Sequence, residues 1–201
     1  MYYSGVTTDR RPSRGKPRAE YDASSRLTDL TVPAFESDSS VIDRLEQARE
    51  SAARDAVLAV CQDLLGRFSE FYRVPAPTLK LLGARPHTTS EGRLATEILG
   101  DYEFETARIR LWTRTPMQRQ WTSARTILST VCHEFMHHLD ASHLGFPRSY
   151  HTLGFFERTH RLYLGITGQP YYALAWFPPE ADGTRAIDWP ETNRRKRASE
   201  R

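Results

Sequence analysis

The chain has 201 residues, 39% of them hydrophobic and 11% aromatic, with a formal net charge of +3; this composition predicts one sizeable core in a single domain carrying tails. A mean hydropathy of −0.60, no apolar run near the ~20 residues of a membrane span, and a polar, Arg-rich start with no apolar leader segment together predict a soluble, cytoplasmic protein with no membrane partner.

Residues 1–38 mix Arg, Ser, Thr, Pro and Asp without a sustained period and are expected to be disordered. From Val41 to about Tyr72 there is no Pro and one Gly. Ile42, Leu45, Ala52, Leu58, Cys61, Leu64, Leu65, Phe68 and Tyr72 recur at helical spacing, with Ser39 or Ser40 placed to cap the start and Pro75 and Pro77 to end the segment. Thr78–Gly83 reads as a short strand and 85–93 as a polar loop. A hairpin comes next, one arm near Gly100–Phe104 and the other over Arg108–Thr113, where Ile109 and Leu111 alternate with Arg108, Arg110 and Trp112.

The segment from Trp121 to about Ala141 is free of Gly and Pro, and Ile127, Val131, Phe135 and Leu139 recur every four residues as the core stripe of a helix. Gly145 and Pro147 close the short segment after this helix. Thr152 can then cap a helix running through Phe155 and Phe156 to about Gly165. Tyr171–Trp189 carries aromatics on both sides of Asp182-Gly183, the pattern of an irregular hairpin. Helix, strands, helix, helix and cover in that order predict an α+β domain over 39–190 with a small, mostly antiparallel sheet.

The excess positive charge falls in the 191–201 tail: between Arg194 and Arg201, the five bases Arg194, Arg195, Lys196, Arg197 and Arg201 stand against Glu200. Such a tail either contacts a nucleic-acid backbone or is a solvated terminus. Cys61 and Cys132 lie far apart in helical patterns, which predicts free thiols in a reducing compartment and is too few for a cysteine-rich zinc ribbon.

The chemistry concentrates on His133-Glu134-Phe135-Met136-His137. Two His four apart project from one helix face and can grip one ion, while Glu134 reaches the edge of that face as a general base. The core stripe points nearly the opposite way, so the ligands face outward from the packed side. A catalytic zinc site takes three protein ligands and a water, and His143, His151 and Glu157 are the candidates for the third. His143 has the spacing of the longer metzincin motif, but no Met follows Met136 to make that family's Met-turn. Glu157 lies inside the following helix. His151 comes after the Gly145–Pro147 turn, four residues before Phe155. Asp140, three residues beyond His137, is placed either to accept an N–H from a ligand imidazole or to sit solvated at the helix end. Tyr150, Arg158 and Tyr163 are candidates by residue type for stabilising an oxyanion. The Arg108–Thr113 arm is a candidate edge for pairing with an extended peptide.

His133, Glu134 and His137, followed by His151 and Phe155, resemble the SprT-like zincins, in which an HExxH helix is followed by a His-x-x-x-Phe element. The likeness covers about 108–163; Thr152 stands where those chains often have Gly, and their cysteine-based zinc ribbon is missing. It implies a Zn²⁺-dependent metallopeptidase with His133, His137 and His151 as ligands and Glu134 as the base for a zinc-activated water. It also implies a peptide or protein substrate, with DNA-associated protein or a catalytically silent metal-binding module as alternatives.

Overall fold

In the computed structural model, residues 7–33, 41–51, 53–90 and 93–200 are described. The fold is α+β, with six α-helices and a small mixed sheet among these residues. The chain divides into two compact units, one of 1–36 with 144–201 and the other of 37–143, where composition predicts one domain with tails. The division joins the two ends of the chain, a pairing of remote segments that no local period encodes.

The unit over 37–143 begins with α2 (Val41–Glu50) and α3 (Arg54–Tyr72). A single helix is expected across this stretch. The break falls near Ser51, whose hydroxyl bonds back to the Ala48 carbonyl at 2.7 Å, offering the backbone an alternative to continued helix. The capping positions Ser39 and Ser40 lie outside the described residues. Arg73, in the left-handed conformation at φ 56°, ends α3 ahead of Pro75.

Three strands form the main sheet in the order β1 (Thr78–Ala84), β5 (Arg108–Arg114), β4 (Gly100–Glu103). β1 runs parallel to β5 and β4 antiparallel to it, so the sheet is mixed rather than mostly antiparallel. The β4–β5 hairpin matches its sequence pattern, and Ile109, Leu111 and Thr113 point into the core as the alternation requires. The expected polar loop after β1 is instead an antiparallel ribbon, β2 (His87–Ser90) with β3 (Arg93–Glu97). Thr88 and Thr96 join its two arms through their hydroxyls, a polar pairing that a hydrophobic pattern does not register.

Helix α4 (Ala124–Leu139) starts at Ser123, whose hydroxyl accepts the Thr126 N–H at 3.2 Å, and it passes into a π-helical turn over Asp140–Leu144. Ile127, Val131, Phe135 and Leu139 are all buried, and the Phe135 ring lies 4.9 Å from that of Phe68 on α3. Each such side chain contributes about 1.5–3 kcal/mol of burial, so the stripe anchors the motif helix firmly. Cys61 and Cys132 are free and buried. Burial pushes both thiols up, Cys61 to about 12.

The other unit holds α1 (Gly15–Arg26), α5 (Leu153–Ile166) and α6 (Trp189–Ser199). The segment 1–38, expected to be disordered, thus contains α1, and most of the basic tail 191–201 lies in α6. α1 has little apolar content, but Tyr21 and Ser24 are buried against its partners. Arg158, fully buried on α5, donates to the carbonyls of Ser24 and Leu27 at the end of α1. Along 171–188 the irregular hairpin is present, with Phe177 N–H bonded to Ala186 O at 3.0 Å and Gly183 at φ 86° in its turn. In α6 the basic run is partly neutralised internally: Arg194 and Arg195 pair with Glu191, and Lys196 with Glu200. Arg195 also caps the carbonyls of Ala173 and Leu174. No helix among the described residues is long and apolar enough to cross a membrane.

Candidate metal centre

Four-residue spacing on α4 brings the His133 and His137 rings together, with centroids 5.0 Å apart. His133 is half-buried and His137 buried. Glu134, between them in sequence, is only 4% exposed. Burial, and secondarily the nearby Asp101 carboxylate, holds its carboxyl well above the usual range. Asp101 is itself clamped by Arg110 through bonds of 2.7 and 2.6 Å.

Gly100 opens the edge strand β4 at this point. A Cβ there would stand 2.9 Å from Oε1 of Glu134, 3.0 Å from its Cγ and 2.6 Å from the Thr130 methyl. The methyl is not free to swing away, because the Thr130 hydroxyl is bonded to the Thr126 carbonyl at 2.8 Å. Absence of a side chain therefore lets β4 approach the Glu134 face of α4. Gly100→Ala is expected to destabilise the protein by about 1–3 kcal/mol, measured as a lowered midpoint in chemical denaturation.

His138 is buried and faces away from this pair. Its Nε2 lies 2.8 Å from the Pro75 carbonyl and its Nδ1 2.9 Å from the Tyr102 hydroxyl, so one ring ties α4 to the turn after α3 and to β4. Nε2–H donating to Pro75 while Nδ1 accepts from Tyr102 satisfies both contacts with a neutral ring. Burial lowers its pKa, which favours that state. On β4's far end, Phe104 approaches the His137 ring edgewise at 6.2 Å.

His151 immediately precedes Thr152, whose hydroxyl accepts the Phe155 N–H at 3.0 Å and caps α5. Its ring stacks on Phe156, centroids 5.6 Å apart and planes 17° from parallel, and meets Phe155 edge-on at 5.1 Å. One potential ligand atom from each of His133, His137 and His151 lies within 4.8 Å of the others. Three imidazoles so close could hold a metal ion. Neither competitor for third place joins this group. His143 is exposed in the π-helical turn. Glu157 is engaged elsewhere, accepting from the Tyr171 hydroxyl at 3.1 Å and the Leu174 N–H at 3.0 Å.

Comparison with protein-family models, curated proteins and solved structures finds no match to this chain.

The remaining sequence candidates are distributed differently. Asp140 is fully buried, which removes helix-end solvation as its role. Arg158 is committed to the α1 carbonyls and Tyr163 is buried on α5, while Tyr150 packs against Tyr21 with centroids 5.7 Å apart. His87 is exposed on β2, and His160 is buried beside Tyr172, with burial pushing its pKa down to about 4. β5 does not offer the expected peptide-binding edge, because β1 and β4 occupy both of its sides. The edge belongs to β4, whose outer side pairs with no strand among the described residues. Sequence reading missed Asp9, Gly100 and Tyr102. Gly100, at the start of a hairpin arm, is the one with a local signal, since an isolated Gly in a strand marks close backbone approach.

Proposed function

We propose that this protein is a zinc-dependent peptidase of the zincin type, related in design to the SprT-like enzymes. The observation that carries the reading is the grouping of His133, His137 and His151 within 4.8 Å beside a buried Glu134. The donor set fits zinc: among the described residues the group holds three imidazoles and no thiolate or carboxylate, which matches catalytic rather than structural zinc sites. His133, His137 and His151 would hold the zinc, which would supply Lewis acidity for activating water and a carbonyl.

The chain's own residues supply the rest. Glu134, next to a ligand but outside the three-His group, takes the proton from the attacking water and passes it toward the leaving amine. Its buried setting favours accepting a proton, because burial destabilises the carboxylate form. The outer edge of β4 can pair with an extended peptide, main-chain bonds giving affinity with little demand on sequence. Ile98 and Phe104, exposed at 47% and 46% on either side of β4, suit apolar substrate side chains. The internal pairing of charges on α6 weakens the case for a nucleic-acid partner.

The test is metal content and hydrolysis measured together. The purified protein is expected to bind one zinc per chain and to cleave an unfolded protein such as casein, with activity lost on chelation and restored by zinc. Stoichiometric zinc with no cleavage of any unfolded substrate would identify a metal-binding module instead.

A further inference from the structure

Asp9, in the loop ahead of α1, meets His151 through both its backbone and its side chain. Asp9 Oδ2 accepts the His151 backbone N–H at 2.9 Å, Oδ1 stands 3.5 Å from His151 Nδ1, and the Asp9 N–H donates to the His151 carbonyl at 2.8 Å. Asp9 is itself held in place. The Tyr21 hydroxyl donates to its carbonyl at 3.0 Å, and neighbouring Thr8 exchanges two bonds with Arg185, of 2.9 Å from its N–H and 3.0 Å to its hydroxyl. The aromatic partners Phe155 and Phe156 set the plane of the His151 ring, and Trp176 backs Phe156 at 5.7 Å. Stacking cannot choose between the two ring nitrogens. A carboxylate beside one of them can.

We propose that Asp9 is a positioning residue that orients His151 and selects its tautomer for metal binding, an inference that rests on reading His151 as a ligand. An imidazole that gives its Nδ1–H to a carboxylate keeps the Nε2 lone pair for a cation and is a stronger donor for it. The N-terminal segment is then part of the metal centre, 142 residues from the ligand it serves. The competing role is plain loop anchoring through the backbone N–H.

Asp9→Asn separates the two roles, because the amide keeps a carbonyl oxygen for the His151 N–H and removes the charge facing Nδ1. Loss of such a partner generally weakens metal binding by about 10–100-fold. Asp9 and His151 side chains are 45% and 34% exposed, so solvent screening puts the expected loss at about 10-fold. The experiment is zinc affinity of the full chain by competition with a chromophoric chelator, with melting of the metal-free protein followed by circular dichroism. The proposal expects Asp9→Asn to bind zinc about tenfold more weakly while the metal-free melting temperature stays at the wild-type value. Wild-type zinc affinity in this variant would overturn it. So would a parallel fall in metal-free melting, which would assign Asp9 to the fold. His133→Ala and His151→Ala serve as controls: if both bind zinc like wild type, the metal centre itself is refuted, an outcome distinct from failure of Asp9 alone.

Discussion

Glu134→Gln is expected to retain one zinc per chain while peptide hydrolysis falls by about 10²–10⁴-fold, the usual contribution of a positioned general base, or ~3–5 kcal/mol of barrier. Glu134 stands outside the three-His group, so its loss leaves the proposed ligands intact. Gln has nearly the same shape, which preserves the close approach of Gly100 to Oε1 and Cγ. What disappears is the ability to take a proton. Metal analysis and single-turnover hydrolysis on the same sample check both halves. Loss of zinc would make Glu134 a ligand, and unchanged turnover would place the base elsewhere.

Gly154→Ala is expected to destabilise the protein by about 3 kcal/mol, the upper end for overpacking. In an ordinary helix the same change stabilises by up to about 1 kcal/mol, so the sign alone is informative. A methyl on Gly154 would come 2.5 Å from the Leu27 carbonyl oxygen and 3.0 Å from that of Ser25, and would meet the Ser24 carbonyl oxygen closer still. These are backbone atoms at the end of α1 and cannot rotate aside. Those of Ser24 and Leu27 also accept bonds from Arg158, and Ser24 meets Thr152 at 2.9 Å through their hydroxyls. Relief therefore requires moving α1 away from α5. Urea denaturation measures the loss, and a stabilised variant would mean that α1 does not dock on Gly154.

The elements with a strong local period were legible in advance. The stripe Ile127, Val131, Phe135 and Leu139 located α4, Thr152 located the start of α5, and the alternation around Ile109 and Leu111 located β5. The two ends of the chain were not legible. α1 and α6 are polar helices with few apolar residues, and their order comes from contacts such as Arg158 with the Ser24 carbonyl and Thr192 with the Ala175 N–H. Low hydrophobicity in a segment reads as disorder when its order depends on contacts outside it, 134 residues away for Ser24 with Arg158 and 17 for Thr192 with Ala175. The β2–β3 ribbon was hidden for a related reason, since Thr88 and Thr96 join through their hydroxyls at 2.6 Å rather than through an apolar face.

At the candidate site the division is similar. By itself the sequence determined the pair His133 and His137 with Glu134 beside them, because helical geometry turns a spacing of four into a shared face. It narrowed the third position to His143, His151 or Glu157 and preferred His151 through a family likeness. Only the tertiary structure grouped His151 with the pair, exposed His143, tied Glu157 to Tyr171 and Leu174, and moved the open sheet edge from β5 to β4. It alone set Asp9 against His151 and Gly100 against Glu134. Spacing along one helix is fixed by covalent geometry and can be read directly, whereas an approach between remote segments depends on how the whole chain packs.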